Sequence, residues 1–292
     1  MQVIVDLAGG LGNQLFCYSF GYAISQDKDA ELVIDTSMQD NGIARKLEIL
    51  NYRVKYDKRI SYKHSKNLLG RVVFNKIRKK YSIGFNTKMY IESQATVYEA
   101  DVLNISNSTY FKGNWQSEKY FKKYRNELLS MFVPVTERTN SVKKLCKKMQ
   151  SETSIAVHIR RGDYIRIGCQ LEMLYYDIAM EKIGELLKNK ILSFYIFSDD
   201  VDFCKKYFSE EKVKDILDIA RVHIYYPQYD SDNHTIDDLL LMYNCKHMIM
   251  ANSSYSWWAA WLNTFDEKIV ICPELGMWKG DFYPEEWIKV KM

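Results

Sequence analysis

The side chains with the greatest chemical reach fall in three short polar runs. His158-Ile159-Arg160-Arg161-Gly162-Asp163 sets two neighbouring guanidiniums beside a carboxylate. Ser198-Asp199-Asp200 supplies an acidic pair, and Asn252-Ser253-Ser254 supplies hydroxyls ahead of an apolar run. Adjacent arginines are costly to hold together unless an anion is nearby, and each planar fork can grip two phosphate oxygens at once. If the strand continues through them they point to opposite faces. One can then clamp a diphosphate while the other is held by Asp163 or packs inward; a purely structural ion-pair network is the plainer alternative. The His-x-Arg element makes Arg160 the expected most sensitive position. Asp199 and Asp200 either hold a divalent cation or cap the helix that begins at Val201. The arginines can neutralise a diphosphate without metal, and no multi-residue oxygen cage is present. The reading is therefore a structural or ribose-binding and base-binding role, with no metal site. Ser253, Ser254 and Ser256 offer hydroxyls and free N–H groups to a phosphate, although N-capping accounts for any one of them.

A fourth run, Gly9-Gly10-Leu11-Gly12-Asn13-Gln14, lies between a β-branched segment and a helical pattern, with Asp35 closing the next strand. It imitates a dinucleotide fingerprint. Leu15 occupies the third glycine place, where bulk hinders close packing and pyrophosphate approach. A nicotinamide-dependent oxidoreductase is therefore a competing reading, and a non-catalytic sugar-binding protein is a third. Trp115, set among Gly, Asn and Gln, is a candidate platform for stacking a sugar, whereas Trp257, Trp258 and Trp261 read as core. No Ser–His–Asp order, HExxH, EF-hand or Walker pattern occurs, and the 5 histidines show no ligand spacing.

These runs need elements to hold them. Val3–Leu7, the helix Gln14–Gln26 and Glu31–Ile34 predict strand, helix, strand. A weak strand over 89–97 and helices over 122–132 and 137–151 come next. From residue 154 the chain alternates: strands over 154–159, 192–197, 222–226, 247–250 and 268–272, with helices over 171–189, 201–208, 235–244 and 253–262 between them. Thr235 is the expected N-cap of the third of those helices. Such alternation predicts an α/β fold of parallel sheets covered on both faces, with a domain boundary near 150: 1–150 and 151–292. In open sheets of this kind ligands bind at the C-terminal strand ends, where all three polar runs fall.

Composition bounds the rest. The chain has 292 residues, a net charge of +4, 47% hydrophobic and 27% charged residues. That is a folded protein with a real core and no charge-based case for nucleic-acid binding. The 6 cysteines are scattered without a CxxC pair, which predicts core thiols in a reducing, cytoplasmic setting. Val3 to Leu7 begins almost at Met1, leaving no expected leader, and no apolar run reaches the ~18–20 residues of a membrane helix. Between Arg53 and Lys80 stand 11 Lys or Arg against Asp57 alone. That excess, densest at Lys76, Arg78, Lys79 and Lys80, predicts either peripheral contact with anionic membrane or a solvated helix face.

Several motifs together resemble those of glycosyltransferase family 11, the α-1,2-fucosyltransferases. They are Gly9-Gly10-Leu11-Gly12-Asn13-Gln14-Leu15-Phe16, then Gly113-Asn114-Trp115-Gln116-Ser117-Glu118-Lys119-Tyr120-Phe121, then His158-Ile159-Arg160-Arg161-Gly162-Asp163-Tyr164. Ser198-Asp199-Asp200 and Asp238 through Ser254-Tyr255-Ser256-Trp257-Trp258 complete the set. The third motif is shared with α-1,6- and protein O-fucosyltransferases, and the first two are specific. The resemblance implies a GT-B-type fold, two Rossmann-like domains whose parallel sheets face a cleft, the first on the acceptor side and the second binding GDP-fucose. It implies a galactoside 2-α-L-fucosyltransferase of surface-polysaccharide or O-antigen assembly. That enzyme moves L-fucose from GDP-β-L-fucose, a substrate, to a β-galactoside-terminated glycan, free or lipid-linked, with inversion and without metal or cofactor. Another GDP-fucose-dependent transfer is the alternative.

Carried onto this chain, the resemblance makes Arg160, Arg161 and Asn13 catalytic, with Asn13 across the cleft near the reacting sugar. It makes Gly10, Gly12, His158, Asp163, Asp199, Asp238, Ser253 and Ser254 donor-binding, with Asp238 on the guanine edge. Trp115, Gln116 and Glu118 become acceptor-binding. Where α-1,6 relatives place a proposed glutamate base, this chain has Gly168, so the base is open.

Overall fold

Among the described residues of the computed structural model every strand pair is parallel, and the strands fall into two sheets. The structure describes residues 1–40, 42, 45–61, 86–188, 190–217, 222–276 and 280–291. Two compact units result: Met1–Val135 with Lys279–Phe282, and Thr136–Trp278 with Tyr283–Met292.

The first unit carries β1 (Gln2–Asp6), α1 (Leu11–Asp27), β2 (Glu31–Asp35), α2 (Ser37–Asp40), β3 (Lys58–Ile60), β4 (Lys88–Ile91), β5 (Thr109–Lys112) and α3 (Arg125–Met131). Its sheet order is β3-β2-β1-β5-β4. β1 sits in the middle, so Val3, Ile4 and Val5 are buried on both faces, and a run of β-branched residues suits that position. α1 is buried nearly all round, from Leu11 and Leu15 through Phe16, Tyr18 and Phe20 to Ile24. A helix apolar on every side belongs inside its domain rather than on its surface.

The second unit carries α4 (Asn140–Ser151), β6 (Thr153–Ile159), α5 (Gly162–Arg166), α6 (Met173–Leu186), β7 (Leu192–Ser198), α7 (Val201–Tyr207), α8 (Glu210–Leu217), β8 (Val222–Tyr225), α9 (His234–Asn244), β9 (His247–Ile249), α10 (Ser254–Leu262), β10 (Val270–Pro273) and β11 (Ile288–Val290). Its order is β11-β10-β9-β6-β7-β8. β6 and β7 are the central ladder, paired from Thr153↔Leu192 to Ile159↔Ser198. Ile155, Val157, Phe194 and Ile196 pack there against Tyr175, Tyr176 and Ile183 of α6. Each such buried apolar side chain contributes about 1.5–3 kcal/mol relative to exposure. Trp257, Trp258 and Trp261 of α10 are also core, with Trp257 and Trp261 stacked at 6.1 Å.

This is the α/β architecture of parallel sheets that the alternation predicts, in the two Rossmann-like, GT-B-type units that the resemblance implies. The division falls at Val135/Thr136, earlier than 150. α4 joins the second unit because it packs on α9, and because Arg138 just ahead of it makes a two-armed pair with the buried Asp237 (2.6 and 2.9 Å). β3, α5, α8 and β11 are short pieces that periodicity does not resolve. The strand expected over 89–97 stops at Ile91, where Glu92 turns inward. The N-cap of α9 is Asn233, whose side chain accepts the Ile236 N–H at 3.3 Å; Thr235 lies inside the helix.

All 6 cysteines are unpaired, four of them buried. No helix among the described residues is long and apolar enough to cross a membrane. Lys63, Lys66, Arg71, Lys76, Arg78, Lys79 and Lys80 of the basic region lie outside the described residues. Of its described part, Lys58 pairs with Glu31 and Arg59 with Asp40.

Candidate active site

β9, β6 and β7 are neighbours and run the same way, so the segments at their C-terminal ends share one edge of the second sheet. Arg160 lies just past β6. Its Nη1 meets Asp199 at 2.9 Å and its Nη2 meets Asp163 at 2.6 Å. Arg161, at the start of α5, places Nε on Asp200 at 3.0 Å and sets its guanidinium carbon over the Phe203 ring, 3.3 Å from the ring centre. Among the described residues its two terminal nitrogens have no protein partner. Of the two arginines, the one held by Asp163 is therefore Arg160. The strand ends at Ile159, so the two arginines do not alternate, and Asp163, one helical turn on, meets Arg160.

The acidic pair splits its work. Asp199 Oδ1 accepts the main-chain N–H groups of Arg161 (2.8 Å) and Gly162 (3.1 Å). Gly162 leaves room for this carboxylate, which would have to shift if a Cβ stood there, 2.7 Å from Asp199 Oδ2. Asp200 caps α7 by accepting the Phe203 N–H, and its hydrogen bond from Arg161 holds its carboxyl below the usual range. Among the described residues no three His, Cys, Asp or Glu side chains converge as a metal-binding group.

His158 lies in β6, and its Nδ1 shares a 2.5 Å hydrogen bond with Ser256 Oγ on α10. Burial, then the Arg160 charge, lowers its pKa to about 4. It is thus a neutral strut between strand and helix at pH 7. Ser253 caps α10 by accepting the Tyr255 N–H at 3.2 Å, and half-buried Ser254 opens the helix. At the adjoining end, Tyr229 OH donates to Asp238 Oδ1. Burial and the neighbouring Asp237 raise the Asp238 pKa, against the pull of Tyr229 and His234. Asp237 is fully buried and taken by Arg138 and Ser231, so it has no reach to a ligand.

The first sheet has its own edge of this kind. Gly9 and Gly10 come after β1, Glu92 after β4 and Gly113 after β5, and these three strands are neighbours. Half-buried Asn13, in the first turn of α1 between Gly12 and Gln14, accepts from Gln116 Nε2 at 3.1 Å and donates to Asn114 Oδ1 at 3.5 Å. Gln14 is a fastening: it donates to Gly9 and Lys46 carbonyls and accepts the N–H groups of Glu48 and Ile49. Glu118 is buried against Lys122 at 2.8 Å.

Trp115 is the second correction. Its indole is 0% exposed and stacked on Phe20 at 4.1 Å, with Phe111, Tyr90 and Tyr120 around it. It offers no ring face to a sugar. The dinucleotide-like reading also loses its acid: Asp35 is buried, accepting from Ser37 N–H (3.0 Å), Ser37 Oγ (2.6 Å) and Tyr110 OH (2.9 Å).

Sequence reasoning missed Phe203, Tyr229, Arg138 and Glu92. The partners of Phe203, Arg138 and Glu92 are distant in sequence and that of Tyr229 lies 9 residues on, and only Arg138 announces itself, as an arginine just ahead of a polar helix.

The profile of glycosyl transferase family 11 matches residues 5–291. An α-1,2-colitosyltransferase of Escherichia coli is 30% identical, over 99% of this chain and 99% of its own. The O-antigen biosynthesis glycosyltransferase WbnK of Escherichia coli is 28% identical, over 97% and 99%. Among solved structures, a mutant of Arabidopsis thaliana FUT1 in complex with GDP superimposes with a TM-score of 0.53 at 11% identity, over 94% of this chain and 71% of that one. At that identity the likeness is one of fold.

Proposed function

The chain belongs to glycosyl transferase family 11, and from that premise we propose that it transfers L-fucose from GDP-β-L-fucose, with inversion, to the 2-hydroxyl of a terminal β-galactoside. It is a glycosyltransferase related to α-1,2-fucosyl- and α-1,2-colitosyltransferases. One observation supports the donor half best: a pair of arginines braced by three carboxylates where β6 and β7 end, with the terminal nitrogens of Arg161 open among the described residues. On this reading the second unit binds the donor and the first carries the acceptor.

Fucosyl transfer passes through an oxocarbenium-like state while negative charge grows on the departing diphosphate. Cations fixed in advance stabilise that charge more than the ground state. Asp200 and Phe203 hold the Arg161 fork in one orientation, so little reorganisation remains when the diphosphate arrives. Arg160 ties the segments after β6 and β7 together through Asp163 and Asp199. Ser253 and Ser254, at the N-terminal end of α10, add hydroxyls and helix-end N–H groups for phosphate oxygens. The proton of the acceptor hydroxyl goes to the leaving phosphate, and no metal is required. Asn13 and Gln116 orient sugar hydroxyls.

A colitosyl donor is the second reading, favoured by the relative at 30% identity. Colitose is the 3-deoxy counterpart of fucose, so the donors differ by one hydroxyl. A site that hydrogen-bonds this hydroxyl rejects the deoxy sugar by as much as ~10⁴-fold. The deciding assay is GDP release from GDP-fucose, GDP-colitose and other sugar nucleotides, with lactose and further β-galactosides as acceptors and with or without EDTA. Linkage and anomer analysis of the product complete it. Transfer from GDP-fucose or GDP-colitose to give an α-1,2 product supports the reading, while transfer of another sugar or linkage overturns it.

A further inference from the structure

The turn after β5 is built in an unusual way. Trp115 has φ +53, a left-handed conformation that bulky residues avoid. The N–H groups of Asn114 and Trp115 point together at one group, the Glu92 carboxylate, whose Oε2 accepts Asn114 N–H at 2.7 Å and whose Oε1 accepts Trp115 N–H at 3.0 Å. Gly113 leaves room for it, since a Cβ there would stand 2.5 Å from Glu92 Cβ. The residues of this turn are the ones that brace Asn13, through Asn114 Oδ1 and Gln116 Nε2.

We propose that Glu92 is a positioning residue which, through the main-chain N–H groups of Asn114 and Trp115, holds the Asn13–Asn114–Gln116 amides in place to receive neutral sugar hydroxyls. The inference rests on the transferase reading above for its substrate class, and on the first unit alone for its geometry. An ionised carboxylate matches two converging N–H groups, whereas a protonated one turns a hydrogen against one of them. A strained turn persists only while its surroundings over-determine it, so neutralising Glu92 releases the turn and the amides shift. Misplacement on the order of 1 Å costs about 100-fold in rate.

Burial raises the Glu92 pKa, against the two N–H bonds and with help from the Glu99 charge. Glu99 itself stays ionised: burial raises its pKa, but hydrogen bonds from Ser93 and Tyr90 outweigh this and lower it. Cys17 and Tyr90, both pushed up to about 12, and Tyr120, pushed higher, also face this region and stay neutral through the acid range. Lys112, exposed on β5, is the neighbouring cation, its carbonyl accepting the Glu92 N–H.

Two measurements test this. In wild-type protein, amide hydrogen exchange at Asn114 and Trp115 is followed from neutral pH to pH 4. Protection of both is expected to fall together as pH drops through a value above the ordinary glutamate range of about 4.3. Protection independent of pH overturns the proposal, and this readout does not depend on which sugar is transferred. In the transfer assay, Glu92→Gln is expected to lower kcat about 10- to 100-fold, leave GDP affinity unchanged and abolish the acid limb of the kcat profile. Adding Glu92→Gln to Asn13→Ala should cost nothing further. Independent, multiplying losses, or an unchanged acid limb, sink the assignment. Absence of any fucosyl or colitosyl transfer by wild type would defeat the transferase reading and leave the exchange result to judge Glu92.

Discussion

The two sheet edges carry opposite kinds of chemistry. After β6 and β7 the groups are charged: Arg160 and Arg161 are braced by Asp163, Asp199 and Asp200. After β1, β4 and β5 they are neutral amides, with Glu92 facing main-chain N–H groups rather than a cation. The contrast has a physical cause. A clustered cation is tolerable before its ligand arrives only if carboxylates offset it, and those carboxylates also fix its direction. Amides brace one another without net charge, so such an edge can be held open for neutral hydroxyls. It supplies less stabilisation to a developing anion in return. The charged edge suits a leaving diphosphate and the amide edge suits a sugar.

The sharpest way to break this comparison is to separate the two arginines. Arg161→Ala removes the fork whose terminal nitrogens meet no protein group among the described residues. Turnover should fall about 10²–10³-fold with the melting temperature near that of wild type. Arg160→Lys keeps one charge but loses a two-carboxylate contact, so stability and turnover should fall together. The sequence ranks Arg160 first and the pairing reverses that order. A stable Arg160→Lys protein with lost kcat, beside a fully active Arg161→Ala, would restore it.

The next test concerns stability on the amide edge. Trp115→Ala empties a site enclosed by Phe20, Phe111, Tyr90 and Tyr120 and should cost about 3–5 kcal/mol in denaturant unfolding. Trp115→Phe should cost less and leave the acceptor KM unchanged. A KM that rises selectively in a Trp115→Phe protein of normal stability would return the indole to the sugar site.

The legibility of the sequence divides along the same line. Strand–helix alternation yields the second unit apart from α5, α8 and β11, because its buried strands are continuous apolar runs with polar ends. The arginine and aspartate cluster is legible because its members are adjacent in sequence and their charge demands partners. Which aspartate serves which arginine is not legible, since that depends on β6 ending at Ile159. Trp115 misleads because small polar neighbours suggest an exposed loop, while a positive φ swings the ring inward. Glu92 leaves no local sign: its partners lie 22 and 23 residues on and are main-chain groups that carry no side-chain signature.

His158 sharpens the comparison from the charged edge. Its pKa is depressed to about 4 by burial and then by Arg160, so the folded state refuses a proton that the unfolded chain accepts below about pH 6.5. Stability is therefore intact above about 6.5 and falls as pH drops toward 4. Between pH 7 and 5 the loss from this one group is on the order of 2 kcal/mol. His158→Asn, which can still bond Ser256, should shrink that loss in urea titrations at the two pH values. An unchanged loss would assign it to His247, also lowered to about 4.

Asp238 gives the smallest effect and the most discriminating one. Burial and the adjacent Asp237 raise its carboxyl pKa, so the folded state favours the protonated form relative to the unfolded chain. Stability then declines as pH rises from the ordinary aspartate range through the raised folded value, and the ionised group at neutral pH is a net burden to the fold. On the proposed donor reading, a guanine at this carboxylate would repay that burden by presenting two donors, N1–H and the 2-amino group. Adenine presents no such pair on that edge. Asp238→Asn replaces an acceptor pair with one acceptor and one donor. It should leave the melting temperature at pH 7 equal or higher, weaken GDP binding about tenfold and leave ADP binding unchanged, because one lost charge-assisted bond amounts to about 1.5 kcal/mol. Calorimetric titration of both nucleotides, beside a thermal melt of the same protein, checks all three. Equal weakening for GDP and ADP, with a lower melting temperature, would make Asp238 only the partner of Tyr229, and nucleobase selection would have to come from elsewhere on the charged edge.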